Sequence, residues 1–354
     1  MCKRNLFRKV FFIMARENHL RLRALVDKEP RITKNPDGTY AYAIVVLTIA
    51  RPNRNAGDNL SFAQISKPRL MTQDPEMIKE IETWKSNDVV DVKGVLATRT
   101  ISKSSYCPKC HTKNMNTGSF AYIVPLYVEK IKSIPDPKLA MKYLLEKREI
   151  SNSFRAFGTL LTNPKMLTTF AGLDFTQYKL ALNRKFLIKE DDPSRKVDYP
   201  WVKTYGDRAK LDRFRLQKGS QIYIDGCLQE REIRRKAFCG QLMDEFGQPQ
   251  VSMLGEPILK KDENGEPIGC GEEYYWKDRT MEIVPFSVEY VAKVLTEEEA
   301  EERQRLRILQ HEKDNGNSSL FSRTLYDTLT DKDYEDGIDD EDSDYKYTTE
   351  TDEE

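Results

Sequence analysis

The chain carries one stretch of sequence twice. Asn18-His-Leu-Arg-Leu-Arg-Ala-Leu-Val-Asp-Lys-Glu-Pro30-Arg31 is answered by Asn152-Ser-Phe-Arg-Ala-Phe-Gly-Thr-Leu-Leu-Thr-Asn-Pro164-Lys165. Further on, Val90-Asp-Val-Lys-Gly94-Val-Leu96 is answered by Ile222-Tyr-Ile-Asp-Gly226-Cys-Leu228. Ile123-Val-Pro125-Leu-Tyr-Val-Glu129 is then answered by Ile283-Val-Pro285-Phe-Ser-Val-Glu289. Three matches in the same order imply two homologous β-rich domains in tandem. A chain of 354 residues has room for both, with tails.

The segments around the repeat divide the chain further. Residues 1–17 read as an N-terminal extension. Its basic-then-apolar start is interrupted by Arg8-Lys9, which does not suit a signal peptide. The first domain is expected over 18–132 and a linker helix over 133–149. The second domain is expected over 150–293, with a long insertion at 237–276. A charged, solvent-facing helix follows over 294–314, opened by the capping box Thr296-Glu-Glu-Glu299. A disordered acidic tail fills 315–354. No apolar run is long enough to span a membrane.

In the first domain, strands are expected over 20–26, 40–49, 60–66, 89–98 and 120–131, with a helix over 75–84 in the middle. In the second they are expected over 153–161, 175–183, 199–205, 221–230 and 279–291, with a helix over 207–216 in the same slot. The fold class is therefore all-β: two tandem five-stranded OB-fold barrels, each with a short helix. Barrels of this kind bind strands of nucleic acid on one face.

The formal net charge of zero conceals a division. Residues 331–354 hold thirteen Asp/Glu and two Lys, a charge of −11, which leaves +11 on the rest. A basic body with an acidic tail points to a polyanionic partner. The tail can be an electrostatic element or a solubilising appendage, and it lacks the apolar surface to fold alone. The six cysteines do not make a disulfide scaffold in a chain this long, so a reducing cytoplasm is the expected compartment. The three histidines, His19, His111 and His311, form no acid/base or nucleophile constellation, and no phosphate-cradling glycine loop is present. A non-enzymatic role is expected.

Within the second copy, Gln217-Lys-Gly-Ser-Gln-Ile-Tyr-Ile-Asp-Gly-Cys-Leu-Gln-Glu-Arg231 resembles the signature of bacterial single-stranded DNA-binding proteins. Asp198-Tyr-Pro-Trp-Val-Lys-Thr-Tyr-Gly-Asp-Arg208 is similar to the segment that precedes it in that family, and Asn152 with Gly158-Thr-Leu-Leu-Thr-Asn-Pro164 resembles its first strand. The resemblance covers most of 150–293 and reaches the first domain only through the repeat. It implies base-stacking roles for Tyr199, where the family has a tryptophan, for Tyr205, where it has a phenylalanine, and for Phe186. Trp201 lies in the same segment. A further family tryptophan has no counterpart, because Glu232-Ile233-Arg234 occupies its place. Arg184, Lys185, Lys203, Arg208, Lys210 and Arg231 lie beside these aromatics as candidate phosphate contacts. In the first domain the vaguer equivalents are Tyr42, Phe62, Arg51 and Lys67, with Arg54 and Arg69 nearby.

The resemblance implies a protein that coats single-stranded DNA in replication, recombination or transfer, with the divergence suggesting a phage, plasmid or conjugative element. It also implies an acidic tail that recruits replication or recombination proteins. Here the tail ends Thr351-Asp-Glu-Glu354 rather than in the family's apolar tip. Two chains of two barrels would make a homodimer match the family's four barrels. The alternatives are a protein-interaction module of primosome type, or an RNA-binding protein. No cofactor is required for binding.

Cys107-Pro-Lys-Cys110 has the spacing of half a zinc ribbon. The repeat places Cys239 and Cys270 in the matching loop of the second domain, and Phe238-Cys239 echoes Tyr106-Cys107. All four thiolates can meet on one structural Zn²⁺. Cys110 and His111 can instead form a smaller site, or the thiols can stand free. Cys2 and Cys227 are unrelated to this group.

Overall fold

Asn18 and Asn152, which open the two copies of the repeat, perform the same task. In the computed structural model, the Asn18 side-chain amide donates to the Leu96 carbonyl at 2.8 Å and accepts from the Leu96 N–H at 3.0 Å. Asn152 does the same with Leu228, at 2.7 and 2.9 Å. The other repeated motifs converge nearby. Gly94 lies opposite Pro125 and Gly226 opposite Pro285, each at a bulge in its strand pair. A Cβ on Gly94 would fall 2.4 Å from the Val124 carbonyl oxygen, and on Gly226 2.5 Å from that of Val284. The repeated residues thus build the same structural node in both halves.

The structure describes residues 16–52, 65–169, 172–185, 188, 196–243, 250–252 and 256–314. The first half contains β1 (Glu17–Val26), β2 (Arg31–Lys34), β3 (Tyr40–Ala50), β4 (Ile65–Ser66), β5 (Arg69–Thr72), α1 (Pro75–Ile81), β6 (Asp88–Tyr106) and β7 (Lys113–Ser133). The connection is α2 (Pro137–Glu146) and α3 (Arg148–Ser151). The second half contains β8 (Asn152–Leu160), β9 (Lys165–Thr168), β10 (Asp174–Asn183), β11 (Val197–Asp198), β12 (Trp201–Tyr205), α4 (Asp207–Arg215), β13 (Gln221–Phe238) and β14 (Glu273–Ala292), and α5 (Glu297–Asp314) follows.

Each half closes on itself. β1, β6, β7, β5 and β3 pair in that order, and β3 returns to β1. β8, β13, β14, β12 and β10 do likewise, and β10 returns to β8. In each barrel one pair is parallel, β5 with β7 and β12 with β14. These are two OB-fold barrels in an all-β chain. They are joined by an antiparallel ladder between β1 and β8, from Glu17 opposite Phe157 to Leu22 opposite Asn152. Both barrels therefore share one continuous sheet, and the buried core runs through both, from Leu20, Val45 and Ile123 to Phe154, Ile224 and Ile283.

The helices plug and brace. α1 starts on an Asp74 cap with Pro75 in its first turn and buries Ile78 and Ile81. α2 lays Ala140 and Leu144 against Leu25, Ala50 and Val89. α4 buries Asp212, which accepts hydrogen bonds from the Tyr290 hydroxyl at 2.6 Å and the Tyr178 hydroxyl at 3.2 Å. α5 was expected to face solvent all round. It instead buries Ala300, and Arg303 donates to the Phe214 carbonyl at 2.8 Å and to that of Leu216 at 3.3 Å. Arg303 thereby caps the orphan carbonyls at the end of α4.

Two strand pairs overshoot their barrels. β6 and β7 run paired to Tyr106 and Lys113, and β13 and β14 to Phe238 and Glu273. The outer ends were expected to be loop and insertion. They are β-arms that lie against one another. Asp278 of the second arm pairs with Lys103 of the first, and with Arg235 at 2.8 Å. The Ser105 and Tyr274 hydroxyls meet at 2.6 Å between the arms.

Candidate nucleic-acid interface and cysteine cluster

Strand alternation puts Trp201, Lys203 and Tyr205 on one face of β12 and turns Val202 and Thr204 inward. On the neighbouring β10, Lys179 stands opposite Trp201, Gln177 opposite Lys203 and Phe175 opposite Tyr205. A cation lies over each outer ring. Lys179 Nζ is 5.6 Å from the Trp201 ring centre, and the Arg231 guanidinium is 5.3 Å from that of Tyr205. Trp201 and Tyr205 are half-buried, and Tyr199, just before the strand, is exposed.

Lys203 sits between these rings but does not reach solvent. It is 1% exposed, with Nζ 3.1 Å from Glu282, which also lies 3.7 Å from Arg231. Arg184 is buried too, forked onto Asp198 at 2.5 and 2.8 Å. Desolvated cations survive in such places only with a carboxylate partner. Lys185 and Lys210 are exposed, the latter 3.7 Å from Asp207. Arg208 is half-buried and donates to the Val288 carbonyl at 3.4 Å. Phe186 and Phe62 lie outside the described residues.

The first barrel departs from its expected set. Tyr42 is exposed on β3, away from any described aromatic partner. Arg51 and Lys67 lie where the barrels meet. Arg51 reaches Gln229 at 3.3 Å, while Lys67 reaches Asp27 at 2.8 Å and donates its N–H to Glu230. The aromatic pair of this barrel is Phe120 and Tyr122, stacked at 5.6 Å with rings 13° apart. Arg69 and Arg99 lie over Phe120, both at 5.6 Å, and Arg99 lies 5.3 Å from Tyr122. The period-two spacing of Phe120 and Tyr122, immediately before Ile123-Val-Pro125, was the available signal. By the repeat, Tyr122 occupies the place of Glu282.

Residues 151–241 match the Single-strand binding protein family. The match falls within the second barrel and includes the signature at 217–231. Wild-type single-stranded DNA binding protein from Thermus aquaticus is 14% identical, with a TM-score of 0.44 over 80% of this chain and 97% of that one. A deletion variant of the same protein is 15% identical, with a TM-score of 0.43 over 81% of this chain and 100% of that one. No curated protein matches the chain. No described helix is long and apolar enough to cross a membrane.

The second barrel holds half of a second constellation, at the far end of its arm. Cys107 and Cys110 turn the tip of the first arm, Cys239 follows β13, and Cys270 precedes β14. Their sulfurs all lie within 4.8 Å of one another. Cys107 and Cys239 are buried beside Tyr274, while Cys110 and Cys270 are exposed. Burial pushes the Cys239 thiol up to about 12, and hydrogen bonding with Thr112 draws Cys110 down to about 5. Cys227 stands apart in β13, pushed up to about 11 by burial. Four thiols gathered this closely can hold a metal ion.

Proposed function

We propose that this chain binds single-stranded DNA, with the second barrel and the adjoining arm as its principal surface. The reading rests on one observation: in the barrel whose residues 151–241 match the Single-strand binding protein family, Trp201 and Tyr205 lie on one strand face, each beneath a cation. Every base has a π-face, so such platforms grip a strand without reading its sequence, at about 1–3 kcal/mol per stacked base. Tyr199 extends the platform. Lys185, Arg208 and Lys210 serve the phosphates at its edge, and Arg231 holds the Tyr205 ring. Arg184 and Lys203 have no part in this path, because their charged groups are spent on Asp198 and Glu282.

The path continues along the arms. Residues 99–120, 231–241 and 272–280 hold ten Lys/Arg against four Asp/Glu, a surplus suited to a polyanion. Phe120 and Tyr122, with Arg69 and Arg99, give the first barrel a secondary platform. Binding of this kind needs no cofactor and no catalysis. It serves to coat and protect single strands during replication, recombination or transfer of DNA. The tail over 331–354 competes with DNA for the basic surface or recruits partner proteins.

The test is titration with oligo-dT, read by tryptophan fluorescence at several salt concentrations. Quenching is expected, with affinity that falls as salt rises. Trp84 is buried in the first barrel, so the signal comes from Trp201 and Trp276. No binding below tens of micromolar would overturn the proposal and favour a protein-interaction role.

A further inference from the structure

We infer that Cys107, Cys110, Cys239 and Cys270 are the four ligands of one structural zinc ion that staples the arm of the first barrel to the arm of the second. Three independent features of the structure converge on this assignment.

The first is the arrangement of the sulfurs. Zinc–thiolate bonds of about 2.3 Å in a tetrahedron separate the sulfurs by about 3.8 Å. Cys107 and Cys270 stand 3.7 Å apart, and Cys110 and Cys239 3.3 Å apart. All six separations fall within 4.8 Å, so a single ion can reach every sulfur. The Cys107–Cys270 and Cys110–Cys239 pairs each join a cysteine of one arm to a cysteine of the other. A chance cluster of thiols at one hairpin would not do this.

The second is the backbone. In the first arm, the His111 N–H returns to the Cys107 carbonyl at 3.0 Å and His111 is left-handed at φ 59°. In the second arm, Cys239 is followed by Gly240 and Cys270 by Gly271, at φ 79° and 72°. The residue after three of the four cysteines thus has positive φ, which turns the chain back around its sulfur. At Gly240 the requirement is absolute, since a Cβ would lie 1.7 Å from the Ile268 carbonyl oxygen. These are tight turns formed around a point, and that point holds the sulfurs.

The third is what surrounds the cluster. Asn114, from the first arm, accepts the Gly240 N–H of the second at 2.7 Å and lies 3.8 Å from Cys239 Sγ. Lys109 pairs with Glu272 across the arms beside the cluster. The Asn114 amide thus orients the Cys239 sulfur, and the Lys109–Glu272 pair holds the two arm tips together beside it. Four thiolates carry two net negative charges even with Zn²⁺ bound. The oxygen-poor ligand set selects zinc over magnesium or calcium.

The inference is independent of DNA binding. The experiment uses the full chain, expressed with zinc in the medium and purified without chelator. Elemental analysis is expected to give one zinc per chain. Replacement of the metal by Co²⁺ is expected to give the intense visible bands of a tetrahedral tetrathiolate. Cys110→Ser and Cys270→Ser, both at exposed ligands on different arms, are each expected to lose most of the zinc and to remain folded by circular dichroism. Cys227→Ser is expected to retain it. Metal-free protein that gives no tetrathiolate spectrum with Co²⁺ would overturn the inference, as would stoichiometric iron in place of zinc. Zinc loss in Cys110→Ser but not in Cys270→Ser would overturn the staple between arms. Should a serine variant fail to fold, the cobalt spectrum of the unaltered chain decides by itself.

Discussion

The backbone N–H of Thr98, in the first barrel, donates to Oδ1 of Asp198, in the second, at 2.8 Å, and both residues are buried. The Thr98 hydroxyl in turn accepts the N–H of Tyr199 at 2.8 Å. Arg184 completes the carboxylate's partners from the other side. A residue that the sequence presented as a phosphate contact is thus part of the joint between barrels, and that joint fixes the backbone of Tyr199, the residue proposed to extend the stacking platform.

Asp198→Ala leaves Arg184 as a buried charge without its carboxylate. The expected cost is about 3–5 kcal/mol of stability, measured by urea unfolding. Asp198→Asn keeps an acceptor for Thr98 and is expected to cost less. Equal losses in the two variants would show that the acceptor for Thr98 adds nothing beyond the charge of Asp198.

Trp201→Ala and Tyr205→Ala are expected to weaken oligo-dT binding by about 10–100-fold each, with little change in the salt slope. Lys185→Ala and Lys210→Ala are expected to weaken it modestly and to reduce the slope by about one charge each. Lys203→Met is expected to act on stability, because it removes the nearer of the two cations beside the buried Glu282. A slope change with unaltered stability in Lys203→Met would return that lysine to the DNA path.

Removal of residues 331–354 takes away a charge of −11. If the tail competes for the basic surface, the truncated chain binds oligo-dT more tightly at low salt, and the difference fades as salt screens it. Identical affinities across the salt series would leave the tail with recruitment alone.

Burial raises Asp212 above the ordinary carboxylate range, with Tyr290 and Tyr178 as its hydrogen-bond partners opposing the shift. The folded state therefore favours its protonated form. Its contribution to stability is full below the unfolded pKa of about 3.9 and declines as pH rises through the raised folded value. Asp212→Asn is expected to remove that decline, so its unfolding free energy gains on the unaltered chain between acidic and neutral pH. Asp212→Ala leaves two tyrosine hydroxyls without their acceptor and is expected to cost about 1–3 kcal/mol at every pH. Parallel pH profiles for Asp212→Asn and the unaltered chain would refute the assignment.

What the sequence disclosed, and what it withheld, follows from which physics is local. The repeated Asn, Gly-x-Leu and Val-Pro motifs were legible because one geometric node needs the same small set of residues twice. The main barrel strands were legible from alternation and apolar runs. β2, β5 and β9 were not, because four residues of mixed polarity carry no period. The arms look like loop and insertion in the sequence because polar runs such as Thr98-Arg-Thr-Ile-Ser-Lys-Ser-Ser-Tyr106 give no buried face of their own. They are strands because the other arm supplies that face. Arg184 and Lys203 resemble solvated cations until Asp198 and Glu282 are placed beside them. The cysteine grouping was legible only because the repeat aligned two loops more than a hundred residues apart in the chain.

The ladder between β1 and β8 has a further consequence. Two barrels on separate chains would pair through such an edge only above some threshold of protein concentration. On one chain the second edge is always present at an effective concentration in the millimolar range, whatever the dilution. The paired-barrel unit therefore does not dissociate as the protein becomes scarce, and its assembly is independent of copy number.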